Sequence, residues 1–133
     1  LKEKDIQTLF SKVVEKDRNV AYELKIEKGR SMPFSRVAEH QIDALTRVKY
    51  KGLFHKISDT PHVQGSFRSY VKPFDCFTLK GEAYIAICFY EKWKTKEVIL
   101  IDIDCFINET KISDRKSLTK DRAIDISTKV IKI

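Results

Sequence analysis

Ala21-Tyr22-Glu23-Leu24-Lys25-Ile26, followed by a basic loop with Ser31, Pro33 and Phe34 and then by Glu39-His40-Gln41, is the stretch from which the fold is read. Alternation along a strand sends Tyr22, Leu24 and Ile26 to one face and Glu23 and Lys25 to the other. A carboxylate and an ammonium then stand side by side, roughly 7 Å apart at the backbone. Such a pair can hold a divalent cation through the carboxylate while the lysine meets a negatively charged reacting group.

The pattern works outward from there. Residues 2–16 carry Ile6, Leu9, Phe10, Val13 and Val14 at helical spacing, so an amphipathic helix is predicted ahead of the strand. Behind the loop, Ser35 is placed to cap a helix from residue 36 to about 49 that ends near Gly52. The apolar stripe of that helix is Val37, Ala44, Leu45 and Val48, and Gln41 falls inside it. A glutamine on a buried face needs partners. It can bond nearby backbone, or it can reach the Glu23–Lys25 pair; the closeness of helix and strand favours the second.

Further on, residues 53–57 read as a short strand, and 58–72 as a long irregular segment. Lys80-Gly81 looks like a hairpin turn, and residues 83–90, apolar on both faces, read as a central strand. Residues 98–107 alternate, which predicts one half-exposed strand with Asp102 and Asp104 on one face, either as a carboxylate pair or, the favoured reading, as two solvent-facing acids. Ser117 is placed to cap a short helix through Ala123. Strands mixed with one-striped helices predict an α/β fold, a mixed central sheet flanked by helices.

Composition bounds the function. The 133 residues suit one domain, and 42% hydrophobic content with 4 Gly and 3 Pro excludes a disordered chain. Lys and Arg number 26 against 19 Asp and Glu, a net charge of +7 that favours a polyanion such as nucleic acid. A basic surface with no such partner is the alternative. Cys76, Cys88 and Cys105 each sit in an apolar run, which predicts buried, reduced thiols and a cytoplasmic setting. No apolar run is long enough to span a bilayer, no stretch has the pattern of a signal peptide, and no membrane partner is expected.

With Ser31-Met32-Pro33-Phe34 and Glu39-His40-Gln41-Ile42 added to Tyr22-Glu23-Leu24-Lys25, the chain resembles the core of the PD-(D/E)XK nucleases. Within that superfamily it is most similar to RecU-type Holliday-junction resolvases, and Arg115-Lys116-Ser117-Leu118 resembles their C-terminal region. The likeness is concentrated in residues 22–45 and is looser over 83–118. It implies a restriction-endonuclease-like fold in a cytoplasmic protein of bacterial, archaeal or phage origin. It also implies Mg²⁺-dependent cleavage of DNA (Mn²⁺ substituting), branched DNA as substrate, and a homodimer.

Carried over by position, Glu23 and Lys25 are catalytic, Gln41 stands near the site, and Ser31 contacts phosphate. In that family an aspartate normally precedes the E-x-K strand; here Lys72-Pro73-Phe74-Asp75 resembles the missing piece placed later in the chain. A permuted order is therefore expected, with Asp75 joining Glu23 and Leu24 as the metal set. Lys28, Arg30, Arg36, Arg68 and Lys72 make the expected DNA path, with Ser31 and His40 beside it. The basic turn around Trp93 either touches a nucleic-acid backbone or is an ordinary hairpin tip. Two other functions stay open: a DNA-binding or interaction module that does not cut, and a nuclease of plain duplex or single-stranded ends.

Overall fold

Residues 83–89 are all buried, and such a strand needs a cover on each face and a partner on each edge. A computed structural model, which describes residues 2–14, 18–56 and 76–133, supplies all four. In chain order the elements are α1 (Glu3–Val13), β1 (Val20–Lys28), β2 (Ser31–Pro33), α2 (Glu39–Tyr50), β3 (Leu53–Lys56), β4 (Cys76–Leu79) and β5 (Glu82–Tyr90). Then come β6 (Glu97–Asp102), α3 (Ile103–Ile112), β7 (Ser117–Thr119), α4 (Lys120–Ile126) and β8 (Lys129–Lys132).

The central sheet has the order β1-β5-β6-β8. It is mixed: β1 runs parallel to β5, and the other two pairings are antiparallel. Helices flank both faces. On one, Ile6 and Phe10 of α1 pack with Leu24, Ala86, Cys88, Val98 and Leu100. On the other, Leu45 and Val48 of α2, Phe106 of α3 and Ala123 of α4 pack with Ile85, Ile87, Ile99 and Ile101. The period-2 alternation of β5 and β6 thus feeds two separate cores. Two small ladders, β2 with β7 and β3 with β4, sit outside the main sheet.

Several boundaries differ from the sequence reading. Helix α2 starts at Glu39, not residue 36, because Phe34–Arg36 forms a 3-10 turn; Ala38, not Ser35, is the N-cap. Ala44 is exposed, and Ile42 packs against the core in its place. The helix does end near Gly52, at Tyr50, and the Gly52 φ of +85° lies in the region that favours glycine. A Cβ there would also lie 2.8 Å from the Leu79 carbonyl oxygen.

The hairpin expected at Lys80-Gly81 does not form, since β1 and β6 take both edges of β5 and β4 pairs with β3. Gly81 instead lets the backbone pass so close to Asn19 that a Cβ would sit 2.4 Å from its carbonyl oxygen. The run 98–107 is not one strand: it breaks at Asp102, whose side chain accepts the Asp104 N–H and caps α3. Cys88 is buried as expected, but that break turns Cys105 outward on the helix. Ser117 opens β7, and Thr119 caps α4 instead. Strand β8 has no counterpart in the sequence reading. Among the described residues no helix is long and apolar enough to cross a membrane.

Candidate active site on the edge strand β1

Strand β1 is an edge of the central sheet, and its register sets Glu23 opposite Ile85 and Lys25 opposite Ile87. Both side chains therefore project on the face covered by α2, while Tyr22, Leu24 and Ile26 turn to the α1 face. The Lys25 Nζ lies 3.2 Å from Glu23 Oε1, with side-chain exposures of 14% and 29%. The pair is shielded enough for its charges to matter, yet a ligand can reach it.

Gln41 completes the arrangement. Its Nε2 donates to Glu23 Oε1 at 2.8 Å, and its Oε1 accepts the Ala38 N–H at 2.9 Å. The two partners fix the carboxamide orientation, because a carboxylate needs a donor and an N–H needs an acceptor. Both partners considered for Gln41 from sequence are thus engaged at once. The same oxygen of Glu23 serves Gln41 and the nearest approach of Lys25, and Glu23 Oε2 makes no hydrogen bond among the described residues. The atoms that could hold Mg²⁺ here are hard oxygens: the free Glu23 oxygen and the backbone carbonyl of Leu24, whose buried apolar side chain offers none. Among the described residues no three His, Cys, Asp or Glu side chains converge as a metal cluster.

Asp75, Arg68 and Lys72 lie outside the described residues. The strand that begins directly after Asp75 is β4, and it pairs with β3 (Lys56 opposite Cys76) rather than with β1.

A third charged residue shares the face and was missed. Glu27 follows Glu23 and Lys25 at the same two-residue step, so alternation alone could have found it. Its Oε2 is buried and makes no hydrogen bond, although Arg36 Nε approaches to 3.2 Å; the approach supplies charge without alignment. Arg36 also donates to the Ile26 carbonyl at 3.1 Å. Arg30 is likewise engaged, to Glu91 at 3.1 Å and to Asp121 at 2.8 Å. These two arginines hold the loop to its neighbours, whereas Lys28, Ser31 and His40 are exposed at the same end of β1 and α2.

Asp102 and Asp104 are not two solvent-facing acids on a strand. The Lys49 Nζ donates to both carboxyl oxygens of Asp102 (2.9 and 2.8 Å) and to Asp104 (2.6 Å), and Tyr50 adds its hydroxyl to Asp104. Burial pulls the Lys49 ammonium down, but the hydrogen bonds and charges of Asp102 and Asp104 more than reverse this and hold it above its ordinary value. Hydrogen bonds from Lys49 and then Tyr50 hold Asp104 below its own. The cluster ties α2 to α3 and so fixes the helix that presents Gln41.

Comparison with protein-family models, with curated proteins and with solved structures finds no match.

Proposed function

We propose that the protein is a metal-dependent DNA endonuclease of the PD-(D/E)XK type, with a restriction-endonuclease-like core, that cuts branched DNA such as Holliday junctions as a homodimer. The observation that carries this reading is the convergence of Gln41 and Lys25 on one oxygen of Glu23, with the other left open. Glu23, with the Leu24 carbonyl, would hold Mg²⁺ or Mn²⁺, and Asp75 is the second carboxylate the reading requires. A bound divalent cation supplies polarisation of the phosphodiester and a more acidic water. Lys25 stabilises the charge that grows on the phosphate. Gln41 holds the Glu23 carboxylate in one orientation. Lys28, Ser31 and His40 face solvent beside this edge, where a DNA backbone can reach them.

The test is a labelled four-way junction and a linear duplex, each with Mg²⁺ or EDTA, alongside Lys25→Ala. Junction cutting that needs metal and that Lys25→Ala reduces by at least ~1,000-fold is the expected result. Equal cutting of both substrates keeps the nuclease and removes the resolvase. A second reading, a DNA-binding module that does not cut, is favoured by the engagement of Glu23 Oε1 by both Gln41 and Lys25, which holds that carboxylate without a metal. Binding without cutting under either metal would establish it.

A further inference from the structure

The β5–β6 connection puts the protein's single tryptophan in an exposed position. Residues 91–94 form a turn closed by the Lys94 N–H on the Glu91 carbonyl (3.2 Å). Trp93 occupies it with φ +69° and is 92% exposed. That backbone region favours glycine, and an indole in water adds nothing to the core. Neither turn geometry nor packing accounts for a tryptophan here.

Its neighbours indicate a ligand. Lys92 and Lys94 flank it, and Lys96 follows two residues on. Lys92 Nζ sits over one face of the indole, 5.4 Å from its centroid, while the residue as a whole stays open to solvent and leaves the other face to a ligand. Because β5 runs parallel to β1, this turn lies at the end of the sheet where β1 delivers Lys28. The Gly29 N–H bonds the Tyr90 carbonyl at 3.1 Å, and Arg30 bridges to Glu91. One end of the molecule therefore joins the basic loop after the Glu23–Lys25 strand to an exposed aromatic ring set among lysines.

We propose that Trp93 is a stacking platform for an unpaired nucleobase, with Lys92 and Lys28 holding the adjacent phosphates while Lys94 is paired with Glu91 in the turn; this rests on the DNA reading given above. A flat ring with open surface stacks any unpaired base, whereas a base inside an intact duplex is not available to it. The ligand class is thus single-stranded DNA or the unstacked bases at a branch.

The single tryptophan makes the test direct, because emission excited beyond the absorption of the tyrosines reports Trp93 alone. The full chain in EDTA is titrated with oligo(dT) and with blunt duplex, and binding is followed separately by anisotropy of labelled DNA. Oligo(dT) is expected to quench the emission strongly and blunt duplex weakly. Trp93→Gly is expected to lose roughly 10- to 100-fold in oligo(dT) affinity. Its melting temperature should be unchanged or higher by about 2–5 °C, since glycine suits this φ. Trp93→Phe should retain most of the affinity.

Oligo(dT) bound with unchanged emission, or Trp93→Gly binding as the parent does, overturns the platform. A spectral shift with anionic vesicles but none with oligo(dT) overturns it in favour of a membrane surface. The two readings fail separately. Metal-dependent cutting without quenching removes the platform alone, and quenching without cutting removes the nuclease alone.

Discussion

Gln41 shows how much one side chain settles. Its oxygen satisfies the Ala38 N–H, one of the donors a helix start leaves open, and its nitrogen orients Glu23. The two roles separate by substitution. Gln41→Ala loses both, and is expected to cost about 1 kcal/mol of stability as a lost cap and to cut the proposed nuclease activity about 10- to 100-fold. Gln41→Glu keeps an acceptor for Ala38 but sets a second carboxylate against Glu23, so activity should fall while the melting temperature stays closer to the parent. Melting curves and junction cleavage of the two variants check this; equal loss of stability in both would remove the capping role. From sequence, Gln41 was readable as a polar residue inside an apolar stripe. That its two ends serve two partners was not, because one partner lies 18 residues away on a strand.

At the scale of elements, the junction between β6 and α3 is where periodicity misleads. Ile99, Ile101 and Ile103 continue a two-residue step, yet Ile103 and Phe106 already belong to a helical face. Asp102 decides the matter by capping, and an Asp two residues later in a first helical turn was the available signal. The Lys49 lock on this junction makes stability depend on acid. Asp104 sits below its ordinary 3.8, with the Lys49 and Tyr50 hydrogen bonds as cause. As pH falls, the unfolded chain therefore takes up the proton first. The contribution is complete above about pH 4 and is lost progressively below it, through the folded-state value. Urea midpoints between pH 3 and 7 should fall more steeply at the acid end for the parent than for Asp104→Asn. Parallel profiles would exclude the lock as a source of acid sensitivity.

Across the whole molecule, the net charge of +7 is not spread evenly in its uses. Arg30, Arg36, Lys49 and Arg122 are held in ion pairs; Arg122 forms two bonds to Glu109, a carboxylate only 5% exposed. Reversing such residues disturbs packing before it disturbs a ligand. Lys28 and Lys92 are exposed and appear in no ion pair among the described residues, so they are the better probes of a nucleic-acid surface. Lys28→Glu and Lys92→Glu are each expected to weaken the proposed DNA binding and to lower the slope of log K against log salt by about 0.7–0.9 per lost phosphate contact. Arg30→Ala should instead lower the melting temperature, because it releases Glu91 and Asp121 together. An unchanged salt slope in both lysine variants would place the nucleic-acid surface elsewhere.

What the chain states by itself is local. Alternation places Glu23 and Lys25 on one face of β1, an unbroken apolar run makes β5 central, and Gly52 ends α2. Each follows from neighbours in sequence, through the two-residue and 3.6-residue periods and the steric freedom of glycine. Only the tertiary structure decides that β1 pairs parallel with β5, or that Arg122 finds Glu109. It alone brings Gln41 to Glu23 and sets the Trp93 turn beside Arg30. Those contacts join residues far apart along the chain. Their partners are chosen by which apolar faces must be buried together, and no local pattern records that choice.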